Sequence, residues 1–112
     1  QFLLLFKGDA DYERGKEFAP ERAADVARLD DELTSKGVLL KHHRIAPSST
    51  GKRLAGPKGK RTWTDGPFTE SKELIAGFSI LDVPSLADAI TWADQYAAIL
   101  VDNEVDVRQM AD

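Results

Sequence analysis

The chain has 112 residues and a mass of 12.3 kDa, room for a single domain over residues 1–112 with one hydrophobic core. Hydrophobic residues make up 42% and charged residues 30%, which excludes wholesale disorder, and the net charge of -4 makes nucleic acid an unexpected partner. With 0 cysteines, disulfides, thiolate zinc sites and cysteine nucleophiles are excluded; the longest apolar run, Phe2 to Phe6, is far too short to span a bilayer. A cytoplasmic protein with no membrane partner and no secretory leader is the expectation.

Phe2-Leu3-Leu4-Leu5-Phe6, ended by Lys7-Gly8-Asp9, reads as a strand buried on both faces. Residues 8–18 are polar and turn-rich. Pro20 suits a first helical turn, and Ala19, Ala23, Val26, Leu29 and Leu33 then share one side of a helix running to about Lys36, where Gly37 supplies the stop. Val38 to Ile45 reads as a second strand, ended by Pro47 and the loop Ser48-Ser49-Thr50-Gly51. Gly56-Pro57-Lys58-Gly59 forms a turn between two short basic arms, a hairpin whose second arm runs through Arg61-Thr62-Trp63-Thr64 into Asp65-Gly66-Pro67-Phe68.

After an irregular stretch from Thr69 to Leu74, Ala76 to Val83 reads as a strand apolar on both alternating sets. Ser85 and Asp88 resemble a capping box, and Leu86, Ala89, Ile90, Ala93 and Ala97 make a helical stripe. Val105, Val107 and Gln109 alternate with Asp106 and Arg108, as in a half-exposed edge strand. The order is β-α-β, a hairpin, then β-α-β. This is an α+β arrangement that closes into a ferredoxin-like βαββαβ sheet with an extra β-hairpin and both helices on one face. The two doubly apolar strands belong at its centre. Helices cover one of their faces; sheet-to-sheet packing in a symmetric homodimer is expected to cover the other.

The run Thr64-Asp65-Gly66-Pro67-Phe68-Thr69-Glu70-Ser71-Lys72-Glu73-Leu74-Ile75-Ala76-Gly77-Phe78 resembles the signature of the YCII-related, or DGPF-domain, family. Gly37-Val38-Leu39, Pro47-Ser48-Ser49, Asp82-Val83-Pro84 and Ala89-Ile90-Thr91-Trp92-Ala93 extend the resemblance over essentially the whole chain. It implies a dimeric α+β barrel type of assembly. The family's wider membership includes a dehydrochlorinase acting on a hydroxylated aromatic, and related domains sit beside sigma factors, so fold and family do not fix function. The chain departs from the family at Lys41-His42-His43-Arg44, where a small, glycine-containing run is usual; this implies a narrower and more basic pocket. A histidine–aspartate pair described in another branch places its histidine in the first helical region. No histidine stands there, so that role does not carry over.

Asp65 reads either as a turn residue accepting backbone N–H groups or as a general base or substrate acceptor. Phe68 beside it is a core anchor and a candidate ligand contact. Glu70, Lys72 and Glu73 form a surface ion-pair cluster, or else face a cleft beside Asp65, with Glu70 and Lys72 as ligand-binding candidates. Asp30 falls among Ala23, Val26 and Leu33 on the apolar side of its helix. A carboxylate there must cap a neighbouring loop or point into a pocket between helix and sheet. His42 and His43 alternate to opposite faces of a strand, so no joint metal site is expected; packing at the surface or a dimer interface is the leading reading for them, and His42 facing a cleft would serve as acid or base.

Lys52, Arg53, Lys58, Lys60 and Arg61 read as a solvated arm without a P-loop, while Trp63 and Trp92 are assigned to core or interface. The leading function is binding of a small aromatic or acidic molecule between sheet and helices. Asp65, Asp30 and His42 are the acid–base candidates, and no cofactor or metal is called for. The alternative is a non-catalytic interaction or regulatory module, such as an accessory to a transcription factor.

Overall fold

The apolar opening of the chain forms β1 (Phe2–Lys7), and Asp9 caps the short helix α1 (Ala10–Glu13) by accepting the Tyr12 N–H at 2.8 Å. A computed structural model describes residues 1–68 and 74–111. Pro20 opens α2 (Pro20–Ser35), which ends before Gly37, at a positive φ of 73° that suits glycine. Strand β2 (Leu39–Arg44) and a short 3-10 turn at Ser48–Thr50 lead into the hairpin of β3 (Lys52–Ala55) and β4 (Thr62–Asp65). The second half comprises β5 (Ile75–Leu81), α3 (Leu86–Leu100) and β6 (Val105–Gln109). Ser85 caps α3: its hydroxyl accepts the Asp88 N–H at 3.2 Å and donates to the Asp88 carboxylate at 2.7 Å.

The four main strands are antiparallel in the order β2-β5-β1-β6, the ferredoxin-like arrangement, with β1 and β5 central as their composition requires. Leu4, Leu81 and Leu39 from the strands meet Leu29 and Leu33 of α2 and Ala93 and Tyr96 of α3 in one buried cluster. Burying each such leucine contributes about 1.5–3 kcal/mol, so this layer carries much of the stability. The other sheet face presents Leu3, Leu5, Phe78 and Ile80, all half-buried, with Lys41, Asp106 and Arg108 beside them in register. The central strands are thus fully buried only towards the helices.

Three details differ from the sequence reading. Residues 10–13, read as part of a turn-rich stretch, form α1. The buried stripe of α3 runs through Ala89, Ala93, Tyr96 and Leu100, leaving Leu86 and Ile90 exposed; several alanines let the stripe be drawn on either side. Of the two places expected for Trp63, core or interface, the core is ruled out, since it is 66% exposed in the chain, while Trp92 packs against the core with the Lys36 ammonium over its ring.

Among the described residues, strands β3 and β4 pair only with each other, so the hairpin projects as an arm. The radius of gyration, 15.7 Å, exceeds the roughly 13 Å of a compact domain of this size, and the longest dimension is 47 Å. Its base is tied by hydrogen bonds. The Glu13 carboxylate accepts the Ser48 N–H at 2.8 Å and the Ser48 hydroxyl, while the Ser48 oxygen accepts the Phe68 N–H at 2.8 Å. Gly66 donates its N–H to the Gly51 carbonyl at 2.9 Å, and a Cβ on Gly66 would lie 1.7 Å from the Ser48 carbonyl oxygen. Glycine is required there by space. The Gly66–Pro67 peptide is cis.

Candidate functional site

A cavity of about 280 Å³ opens between the helix-facing side of the sheet and α2, with Tyr96 and Leu100 of α3 along one wall. Since an apolar cavity of roughly 150 Å³ holds benzene, this one has room for a single ring with substituents. Phe6, Phe18, Ala23 and Val26 make the walls largely apolar. On the floor lies Gly77, where a Cβ would meet the His43 carbonyl at 2.7 Å; the missing side chain lets β2 approach β5 and leaves the space above open.

Asp30 is held at the inner wall by its place on α2. Its Oδ1 accepts a hydrogen bond from the Tyr96 hydroxyl at 2.5 Å, and its Oδ2 lies 3.8 Å from Nδ1 of His42. The Asp30 side chain is 17% exposed and that of His42 54%, so the pair runs from wall to mouth. Burial pushes the Tyr96 hydroxyl far above the usual tyrosine range, and the hydrogen bond to Asp30 and its negative charge push the same way. Tyr96 is therefore a fixed donor to the Asp30 carboxylate. Fastened on one oxygen by Tyr96, Asp30 turns the other towards the imidazole of His42, 3.8 Å away.

The mouth carries a second set of polar groups. Glu17, on the loop between α1 and α2, sits 3.4 Å from Arg44 on β2, both well exposed. Tyr12 donates its hydroxyl to the Ala76 carbonyl at 3.1 Å. Burial raises the Tyr12 hydroxyl above its ordinary value, with Arg44 opposing that rise.

The predicted candidates separate. Asp30 and His42 come together at the cavity, 3.8 Å apart. Asp65 does not line it: its side chain is 79% exposed on the arm, 3.5 Å from Lys52 Nζ. Phe68 lies under the Arg53 guanidinium, 4.0 Å from its ring centroid, also outside the cavity lining. Glu70 and Lys72 lie outside the described residues. His43 stacks on Phe78, at 5.8 Å between centroids, on the sheet face away from the helices. Among the described residues, no cluster of three histidine, aspartate or glutamate side chains could hold a metal ion.

Sequence reasoning missed Tyr96, Ser79, Tyr12, Glu17 and Phe18, while Arg44 belongs to the run that implied a more basic pocket. Tyr96 carried a signal: with Ala89 and Ala93 it continues a three-and-four spacing. Ser79 carried another, as the one hydroxyl in an otherwise apolar strand.

Comparison with known proteins gives a family. The sequence model of the YCII-related domain matches residues 1–110. A protein of Rhizobium meliloti (strain 1021), described as uncharacterized, is 30% identical over 69 residues, covering 62% of this chain. That stretch is 56% of the relative's own length, so the chain spans little more than half of the protein it matches.

Proposed function

This chain belongs to the YCII-related domain family, and from that premise we propose that it binds a small aromatic or acidic molecule between sheet and helices and performs acid–base chemistry on it. The observation that carries this reading is the Tyr96–Asp30 hydrogen bond with His42 beside the Asp30 carboxylate, on a cavity whose walls are largely apolar. A buried tyrosine that fastens a carboxylate, which in turn faces a half-exposed imidazole, is the layout of an oriented general base. Among the sequence candidates, Asp30 serves as the orienting group and His42 as the proton carrier. Asp65 has no part in it, since it stands on the arm. Arg44 at the mouth suits a carboxylate on the ligand.

The test is an NMR titration with benzoate and 4-hydroxybenzoate. Shifts centred on residues 26–30, 42–44 and 76–79 support the reading, and shifts confined to the arm or to the outer sheet face overturn it. His42→Ala and Asp30→Asn are expected to retain ligand binding within a few-fold while abolishing turnover of any substrate found.

The outer sheet face supports a further element of the proposal, a homodimer formed by sheet-to-sheet packing over Leu3, Leu5, Phe78 and Ile80. Sedimentation should report twice the chain mass, and Leu5→Asp should return it to 12.3 kDa. A wild-type monomer at high micromolar concentration rules the dimer out.

A second reading draws on a separate observation: Trp63 and Leu54, cross-strand neighbours on the projecting arm, are both exposed. An arm of that kind fits a non-catalytic interaction module. It predicts that Trp63→Ala leaves cavity binding intact while removing association with a protein partner.

A further inference from the structure

Ser79 lies in the middle of β5, directly opposite His42 on β2 and opposite Leu4 on β1, on the helix-facing side of the sheet. The residue is only 2% exposed and lines the cavity. Its hydroxyl has no hydrogen-bond partner among the described residues, yet no fully enclosed side-chain oxygen or nitrogen among them lacks one. The Ser79 oxygen therefore keeps some accessible surface, and the residue lines the cavity.

Every other hydroxyl named at this site is engaged: Tyr96 donates to Asp30, and Tyr12 to the Ala76 carbonyl. A hydroxyl that opens into an apolar-walled cavity has its hydrogen bond still to make, and a net hydrogen bond is worth about 0.5–1.5 kcal/mol to the group that completes it. Water is one such group; a ligand oxygen is another. The surroundings select the kind. Phe6 and Val26 leave the space around Ser79 apolar, and the formal charges stand at Asp30 and at the mouth. An anion drawn inward would meet Asp30. A neutral oxygen would not.

We propose that Ser79 is the specificity-determining residue of the cavity and that its hydroxyl hydrogen-bonds a neutral oxygen, a carbonyl above all, at the inner end of a small ligand. The site then reads the ligand at two ends, oxygen on Ser79 and body against the aromatic and aliphatic walls. Because Ser79 faces His42 across neighbouring strands, whose opposed Cβ atoms lie about 4.5–5.5 Å apart, the anchored oxygen is set beside the group that carries the proton. This inference rests on the cavity's being the ligand site.

The experiment compares two probes of nearly equal shape, acetophenone and ethylbenzene, by NMR titration of the full chain. Wild type should bind acetophenone about tenfold more tightly, the ratio of one net hydrogen bond. Ser79→Ala, which removes a single oxygen, should bring the two affinities together by weakening acetophenone alone. Ser79→Cys, with a poorer donor of similar size, should fall between, and it provides the comparison should the alanine variant not fold. A serine kept merely for its small volume would leave the ratio unmoved in both variants, which overturns the proposal. Equal binding of the two probes by wild type overturns it too. Binding of neither probe defeats the cavity reading itself, a failure distinct from a cavity that binds both without preference.

Discussion

Replacing Tyr96 by Phe isolates the hydrogen bond to Asp30. The ring stays, with its edge-to-face contact to Phe6 at 5.3 Å between centroids, and only the oxygen that donates to Asp30 is lost. A hydrogen bond to a charged group is worth about 1.5–3 kcal/mol, and removing one partner leaves the other to be solvated. Asp30 is 17% exposed, so water reaches part of it and moderates the loss; about 2 kcal/mol is expected at pH 7. With a urea dependence of about 1–3 kcal/mol per molar, the denaturation midpoint should fall by about 1 M.

The same substitution has a signature in pH. Folding raises the Tyr96 proton affinity through burial first and Asp30 second. The unfolded chain releases that proton near pH 10, while the folded protein still holds it. Below pH 10 the stabilising contribution is complete. Above it the unfolded state binds fewer protons than the folded one, so stability falls by up to about 1.4 kcal/mol for each pH unit. Urea titrations of wild type and Tyr96→Phe from pH 7 to 11 should therefore converge at the alkaline end. Tyr12, also raised by burial, adds a shallower slope to both proteins. Parallel curves that never converge, or an unchanged midpoint at pH 7, would refute the account of Tyr96 as a buried, protonated donor.

Further predictions concern the arm and its base. Gly66→Ala drives a methyl into the Ser48 carbonyl, so the Glu13–Ser48–Phe68 junction must open; a loss of about 3 kcal/mol is expected in chemical denaturation. Glu13→Ala removes the acceptor of the Ser48 N–H and hydroxyl, and hydrogen exchange at Ser48 and Phe68 should quicken by about tenfold while the β1–β5 amides stay protected. Ser85→Ala deletes the α3 cap and should cost about 1 kcal/mol, measured as a fall in thermal midpoint. In Trp92→Phe the remaining Trp63 fluorescence should be red-shifted and freely quenched by acrylamide; protection of Trp63 would show that association covers the arm.

The fold was legible because its central strands are written twice. Phe2 to Phe6 and Ala76 to Val83 are the segments without a polar face, and only central strands of this topology ask for that. Helix α2 was legible for a similar reason: Pro20 and Gly37 bracket a clean apolar period. Helix α3 was less so, since alanines border its stripe on both sides and the tyrosine that decides the matter looks amphipathic in sequence. The Asp65-Gly66-Pro67-Phe68 stretch announced the family, yet its geometry serves the arm's base: Gly66 fits against Ser48, Phe68 hangs from the Ser48 hydroxyl, and Asp65 faces Lys52 in solvent.

The site divides along the same line. Asp30 could be picked out because a carboxylate on an apolar helix face needs an explanation, and His42 because strand alternation separates it from His43. Their meeting could not be read, because it depends on how β2 is registered against β5 and on how α2 lies over both. The donor that fastens Asp30 comes from Tyr96, 66 residues away. Ser79 shows the limit most clearly. Along the chain it is one small residue between Phe78 and Ile80; in register it faces His42, and among the described residues its hydroxyl has no partner at the cavity it lines. Such a position carries no motif. Its chemistry arises from what three strands and two helices leave uncovered, and a change in any of those packings moves the site without altering one of its residues.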